Sequence, residues 1–322
     1  MGGGIAMNFA NVGIPVTLVE TTAEALERGL GIIRKNYEAT AAKGKMKAED
    51  VDTRMGLIHG TLAIGDLADV DLVIEAVFEQ LDVKQEIFRK LDAICKAGAM
   101  LATNTSYLDI DDIAGVTKRP EWVLGLHFFS PANVMKLLEV VRTKHTLPQV
   151  YATAMKLAKV IGKIGVLCGN GFGFVGNRIL AARGGQADQL ILDGATPWAV
   201  DKVLYEFGFA MGHFQMRDLV GLDVGWNRAT TASSNVREIL NEMGRHGQKT
   251  RSGFYDYDEK RVGTPSAVAM QVIEDFATKQ GITRRDITEE EIHDRILFAM
   301  VNEGARILDE GIAARANTIG GR

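Results

Sequence analysis

The sequence predicts an α/β protein, a doubly wound domain over residues 1–169 followed by all-helical domains. Two observations carry this. Short aliphatic runs in the first half alternate with helical patterns, beginning with Val16-Thr-Leu-Val19 and continuing with Asp71-Leu-Val-Ile74 and Met100-Leu-Ala-Thr103. Such alternation builds βαβ units on a parallel sheet. Past Gly169-Asn-Gly-Phe-Gly-Phe174 the apolar residues fall at helical spacing instead, in Ile179 and Leu180, through Gln186–Ile191, and later in Ile292, Ile296, Met300 and Val301.

Taken in order, Met1-Gly-Gly-Gly-Ile-Ala-Met reads as a glycine-rich turn opening a helix, and Val16–Val19 as a strand ending in the acid Glu20. Ile87, Phe88, Leu91, Ile94 and Cys95 recur at helical spacing, and Gly98 stands where a C-terminal cap belongs. Val123–Leu126 and Leu137–Val141 read as two further strands. A domain boundary is expected near residue 170, and a second in the polar, turn-rich run from Asp256 to Pro265.

At 322 residues the chain exceeds the usual size of one hydrophobic core. A net charge of −4 supplies no general attraction to nucleic acid or anionic lipid, so an anionic ligand needs a local site. Cys95 and Cys168 are the only cysteines and form no CxxC, which supports neither a disulfide nor a metal site. No run approaches the roughly 20 apolar residues of a membrane span, and the N-terminus lacks the basic start of a signal peptide. The expectation is a soluble protein of a reducing compartment, without nucleic acid or membrane insertion.

A helix that opens at glycine presents free N–H groups and a positive dipole end to a pyrophosphate. An acid about 20 residues later holds a ribose 2′-hydroxyl and repels a 2′-phosphate, selecting NAD over NADP. Gly2 and Glu20 occupy those places. The full dinucleotide fingerprint has a strand and two glycines before this point, and that strand is central in a Rossmann-type sheet. The polypeptide is therefore expected to continue upstream of Met1.

Two segments carry a more specific signal: Asn104-Thr-Ser106 after a strand, and Leu126-His-Phe-Phe-Ser-Pro-Ala-Asn-Val-Met-Lys-Leu-Leu-Glu-Val140. With Gly171-Phe-Gly-Phe-Val-Gly-Asn-Arg178, Phe207-Gly-Phe-Ala-Met-Gly212, Asp218-Leu-Val-Gly-Leu-Asp223 and Gly247-Gln-Lys-Thr-Arg-Ser-Gly-Phe-Tyr255, they resemble the 3-hydroxyacyl-CoA dehydrogenase family over essentially the whole chain. The resemblance implies NAD-dependent oxidation of an L-3-hydroxyacyl-CoA. It makes His127 the general base, Glu139 its orienting partner twelve residues on, and Ser106 and Asn177 the residues that place the substrate's 3-oxygen. Chemistry agrees, because removing a hydride from a carbinol carbon needs a base for the hydroxyl proton, and an imidazole held by a carboxylate suits that work. A carboxylate set between Leu138 and Val140 is itself costly unless paired. Expected cofactor-binding residues are Gly2, Glu20, Ala76, Glu79, Lys84 and Asn104, with Glu79 accepting from ribose hydroxyls and Lys84 supplying positive charge; a solvated helical turn is the plainer alternative for Lys84. Lys43, Lys45 and Lys47 form a basic cluster that reads as a solvated helix end more readily than as a CoA phosphate site.

Ser130, where many single-function members carry Asn, resembles the multifunctional β-oxidation enzymes, and so does Ile287–Gly311, which is similar to their second helical repeat. The expected domains are thus an NAD-binding domain over 1–169, a helical domain over 170–258 and a partial second repeat over 259–322. The resemblance further implies an acyl-CoA substrate, an enoyl-CoA hydratase domain upstream, a thiolase partner, and a homodimer through the helical region. Location would be cytoplasmic in a bacterium and mitochondrial or peroxisomal in a eukaryote. Two alternatives stay open, a related NAD-dependent hydroxy-acid dehydrogenase and a catalytically silent binding homologue; intact Ser106, His127, Glu139 and Asn177 oppose the second.

Overall fold

The described residues, 1–317 of a computed structural model, begin with a helix. Helix α1 (Gly2–Ala10) leads into strand β1 (Val16–Val19). Helix α2 (Ala23–Ala42) is started by Thr22, whose hydroxyl accepts from the Ala25 N–H at 3.2 Å. Helix α3 (Glu49–Met55) and strand β2 (Ile58–Thr61) follow, and β2 pairs with β1 in parallel, Val16 opposite Ile58. The sequence reading passed over β2 because Ile-His-Gly-Thr shows no apolar run. Gly60 lies close under α2, since a Cβ there would stand 2.9 Å from the Leu26 side chain.

Next come β3 (Leu72–Glu75), α4 (Leu81–Ile94), β4 (Met100–Thr103), α5 (Ile110–Ala114), β5 (Val123–Phe128), β6 (Leu137–Arg142), α6 (Pro148–Val160) and β7 (Ile164–Gly169). The five strands form one sheet in the order β3-β4-β5-β6-β7. All neighbours run parallel except β5 and β6, which are antiparallel. β4 and β5 are buried along their whole length, whereas β1 is only half-buried. The two sheets share no ladder, and among the described residues no strand pairs with the second edge of β1 or of β3. Ile5 and Phe9 of α1 pack with Leu124, Leu126, Leu138, Val140 and the α6 residues Val150, Ala154 and Ala158 in one core. A smaller core joins Ala6, Met7 and Ala10 to Ile33, Tyr37, Val51 and Ile58. Two of the opening glycines serve packing: a Cβ on Gly3 would stand 3.2 Å from Ile33, and one on Gly4 3.2 Å from Ala132.

The chain divides into two compact units, residues 1–178 together with those from Gly304 onward, and residues 179–303. The second unit holds most of α7 (Gly176–Asp193), then α8 (Pro197–Phe207), α9 (His213–Val220), α10 (Val236–Glu242), a hairpin of β8 (Tyr255–Tyr257) and β9 (Gly263–Pro265), α11 (Ala267–Lys279) and the first part of α12 (Glu289–Asp309). Leu190, Val200, Leu204, Phe214, Leu240, Phe254, Ile273 and Ile296 fill its core. Two buried acids tie the loops to the helices. Asp201 accepts from the Phe214 and Gln215 N–H groups and the Tyr255 hydroxyl, and Asp218 from the Phe254 and Tyr255 N–H groups and the Tyr257 hydroxyl.

The run from Asp256 to Pro265, where a second boundary was expected, holds the β8–β9 turn and most of its two strands. Tyr255 and Tyr257 anchor it from below, which polarity and turn residues alone do not reveal. Of the expected partial repeat over 259–322, residues 259–303 fall in the helical unit and residues 304–317 in the first. Among the described residues no helix is long and apolar enough to cross a membrane.

Candidate active site

The pairing of β5 with β6 places His127 directly opposite Glu139. Facing residues of an antiparallel pair project to the same side with their Cβ atoms about 5 Å apart, so the twelve-residue spacing is the geometry of this strand pair. The carboxylate reaches the ring: Glu139 Oε2 lies 2.7 Å from His127 Nδ1. Both side chains are buried, at 5% and 1% exposure. Such a contact holds the Nδ1 proton on the carboxylate side and leaves Nε2 as the acceptor.

Glu139 Oε1 accepts from the Val175 N–H at 3.1 Å and the Gly176 N–H at 2.8 Å, where α7 begins. A buried carboxylate needs such donors, and the helix start adds its positive dipole end. The turn that delivers these N–H groups is unusual. Gly173 has φ +72°, and Phe174 has φ +48° although it is not glycine. Phe174 is fully buried with its ring 5.6 Å from that of His127, and Phe129 lies 4.5 Å away. The packing of the Phe174 ring offsets the cost of its left-handed backbone. Gly176 has no room for a side chain, since a Cβ would stand 2.8 Å from the Phe129 ring. Burial pushes the thiol of Cys168, on neighbouring β7, well up, and the Glu139 charge adds to that, which disfavours the thiolate there.

Ser106 follows β4, the strand beside β5, and its Oγ lies 3.3 Å from His127 Nε2. Asn177 is the second residue of α7, with no side-chain hydrogen-bond partner among the described residues. Asn104 Oδ1 accepts from the Phe128 N–H at 2.8 Å, which ties the β4 loop to the strand carrying His127.

Glu79, expected to receive ribose hydroxyls, has its Oε1 accepting from Thr105 Oγ1 at 2.6 Å, the Ser106 N–H at 2.7 Å and the Tyr107 N–H at 3.0 Å. Burial alone would raise its pKa, but these donors and the Lys84 charge outweigh that and hold it below the usual range. Lys84 sits in no solvated turn; it is fully buried, with Nζ 2.8 Å from Glu75 Oε1. Charge in the sequence suggested an exposed turn, whereas α4 turns this face inward with Phe88 and Leu91.

Around a dinucleotide the fit is good at the start of the chain. Gly2 opens α1, and a Cβ there would approach only Leu18, at 4.0 Å, so the first turn is open. Half-buried Glu20 follows the end of β1, its carboxylate within 3.4 Å of the Thr21 N–H. Ala76 follows β3 at half-burial. Lys43 and Lys45 are exposed, and Lys47 pairs with Glu49 at the surface.

Residues 1–171 match the model of the 3-hydroxyacyl-CoA dehydrogenase NAD binding domain, and residues 173–257 that of the 3-hydroxyacyl-CoA dehydrogenase C-terminal domain. The chain belongs to the 3-hydroxyacyl-CoA dehydrogenase family. It carries the family's NAD-dependent oxidoreductase domains. The peroxisomal bifunctional enzyme of Cavia porcellus is 43% identical over 337 residues, covering 98% of this chain and 46% of that protein. A peroxisomal fatty acid beta-oxidation multifunctional protein of Arabidopsis thaliana is 37% identical over 329 residues, covering 98% and 45%. The chain spans about half the length of these relatives. Among solved structures, the dehydrogenase part of a C. elegans multifunctional enzyme superposes with TM-score 0.73 at 30% identity, covering 99% of this chain and 74% of that one. The 3-hydroxybutyryl-CoA dehydrogenase of Escherichia coli gives 0.81 at 27% identity, covering 100% and 86%.

The structure brings Ser106, His127 and Glu139 of the expected residues into contact, and it adds Phe129, Phe174 and Gly176, which the sequence did not mark although all lie in motifs singled out there. Only the positive φ at Phe174 and the close approach at Gly176 mark them as structural necessities.

Proposed function

We propose that the chain oxidises the 3-hydroxyl of an L-3-hydroxyacyl-CoA to a ketone, with His127 as base. The observation that carries this is the continuous contact from Ser106 Oγ through His127 to Glu139 and the first N–H groups of α7. Gly2, Glu20 and Ala76 are the residues that would hold the cofactor. NAD+, when bound, supplies the acceptor for the hydride that leaves C3. His127 Nε2 takes the hydroxyl proton as the carbonyl forms. Glu139 stabilises the imidazolium so produced, and the α7 N–H groups hold the Glu139 carboxylate in place. Ser106, and Asn177 at the start of α7, donate to the oxygen as it becomes a carbonyl. Phe129 and Phe174 exclude water from the imidazole. Base assistance of this kind is worth roughly 10²–10⁴ in rate.

In the parent polypeptide this activity would sit beside an upstream enoyl-CoA hydratase, as the half-length match to bifunctional and multifunctional relatives supports. Those relatives' names support a peroxisomal over a mitochondrial location if the source is eukaryotic. The test is NADH oxidation with acetoacetyl-CoA by the native protein and by His127→Gln, alongside free 3-hydroxy acids in the forward direction. Loss in the variant is expected, with turnover confined to the CoA esters. Equal rates in the two proteins would refute the role of His127, and preference for free acids would favour a hydroxy-acid dehydrogenase.

A further inference from the structure

Beneath the Ser106 loop lies a charged group that the proton-transfer chemistry leaves unused. Glu75 ends β3 and Lys84 lies in the first turns of α4, and both side chains are 1% exposed. Glu75 is fully engaged: Oε1 accepts from Lys84 Nζ at 2.8 Å and the Val77 N–H at 2.7 Å, and Oε2 from Thr103 Oγ1 at 2.7 Å. Thr103 is the last residue of β4, three before Ser106. Lys84 Nζ also stands 3.6 Å from Oε2 of Glu79, whose side chain is 40% exposed. The other oxygen of Glu79 receives the three donors from Thr105, Ser106 and Tyr107. One buried ammonium thus joins a carboxylate that holds the end of β4 to a carboxylate that holds the loop after it.

Burying such a pair seldom adds stability over apolar side chains of equal volume, so its retention asks for another account. The account lies in geometry. A serine on a loop keeps its hydroxyl within hydrogen-bond reach of a buried imidazole only if its backbone is held, and displacement of about 1 Å is costly for a reacting group. In the loop after β4 Ser106 is half-buried and Tyr107 exposed, and Glu79 takes both of their N–H groups.

We propose that Glu75 and Lys84 are positioning residues for the dehydrogenase reaction: they act through Glu79 to fix the backbone of Ser106 so that its hydroxyl meets His127 Nε2. The inference rests on the assignment of Ser106 as a donor to the substrate oxygen. Lys84 fixes Glu79, Glu79 closes the loop, and Ser106 carries the effect to the reacting atom. Glu75 holds Lys84 in place and secures the β4 end of the same loop.

The experiment is a double-mutant cycle in the full chain. Glu75→Gln/Lys84→Met removes both buried charges together and leaves neither unpaired; Glu79→Gln, at a part-exposed site, tests the same chain of contacts without touching the buried pair, should the first variant fold poorly. kcat for acetoacetyl-CoA is measured with and without Ser106→Ala, with KM for NADH and thermal midpoint recorded for each. Each variant is expected to lower kcat about tenfold alone and less than about twofold in the Ser106→Ala background, as residues acting as one unit do. Losses that multiply across the two backgrounds would overturn the inference and leave Ser106 its role. A rise in KM for NADH with kcat unchanged would overturn it by assigning Lys84 and Glu79 to the cofactor. Unchanged kcat in Ser106→Ala alone would overturn the Ser106 assignment itself.

Discussion

Glu139→Gln separates charge from shape at the centre of the site. In the native protein Oε1 accepts from two N–H groups, of Val175 and Gly176, and Oε2 accepts from the imidazole. A glutamine has one acceptor oxygen and one NH₂. Its oxygen must face the two N–H groups, because turning NH₂ toward them would leave donors facing donors in a buried place. NH₂ then points at His127 Nδ1, which accepts only in the tautomer that carries its proton on Nε2. In that tautomer Nε2 cannot take the hydroxyl proton. Two losses combine, the base in its correct tautomer and the stabilisation of the imidazolium.

General-base assistance is worth about 10²–10⁴, so kcat is expected to fall by that range, roughly 3–5 kcal/mol in the barrier. Affinity for acetoacetyl-CoA should move far less, because no direct substrate contact is removed. The assay is steady-state NADH oxidation, with circular dichroism to confirm that the fold is kept. A variant folded like the native protein with kcat within about threefold of it would refute the tautomer argument.

Gly176→Ala puts a Cβ 2.8 Å from the Phe129 ring and 3.5 Å from Glu139 Oε1; overpacking of this kind costs about 1–3 kcal/mol, and both the thermal midpoint and kcat should drop, whereas unchanged values would show that the aromatic wall is soft. His213 is 2% exposed and neither ring nitrogen has a partner among the described residues; burial first, then the charges of Arg217 and Arg183, depress its pKa from 6.5 to about 2. The unfolded chain therefore takes up a proton that the folded one refuses, and stability falls as pH drops below 6.5, by about 2 kcal/mol at about pH 5. Asp218 has the opposite sign, since burial raises its pKa to about 6 and protonation below that favours the fold. His213→Leu isolates the first effect: urea midpoints should rise relative to the native protein as pH is lowered from 7 to 5, and a pH-independent difference would contradict it. Glu20→Ala should narrow the preference for NADH over NADPH in kcat/KM, and an unchanged ratio would remove Glu20 from cofactor selection.

How much of this site a reader of the sequence can see depends on how each residue is held. His127 and Glu139 are legible because one antiparallel register fixes both, and a charged residue inside an apolar strand announces a buried partner. The β8–β9 hairpin and the inward face of α4 were not. Their signals are polar residues whose partners lie far off in sequence: Tyr255 OH finds Asp201, fifty-four positions away, and Lys84 finds Glu75 only because α4 packs back on the end of β3. Polarity in a sequence marks where a group must be satisfied, by water or by protein, and does not say which. Glu79 shows the consequence. Its chemistry suits a ribose and a loop equally, and what decides is that Thr105, Ser106 and Tyr107 converge on one oxygen with Lys84 behind the other. A carboxylate so occupied gains little by exchanging these donors for a ligand's hydroxyls, because the loop N–H groups would then need new acceptors. On that argument the acids of such a site divide by what already donates to them, and Glu20, whose carboxylate has among the described residues no donor closer than the Thr21 N–H at 3.4 Å, remains the better candidate for the cofactor's hydroxyls.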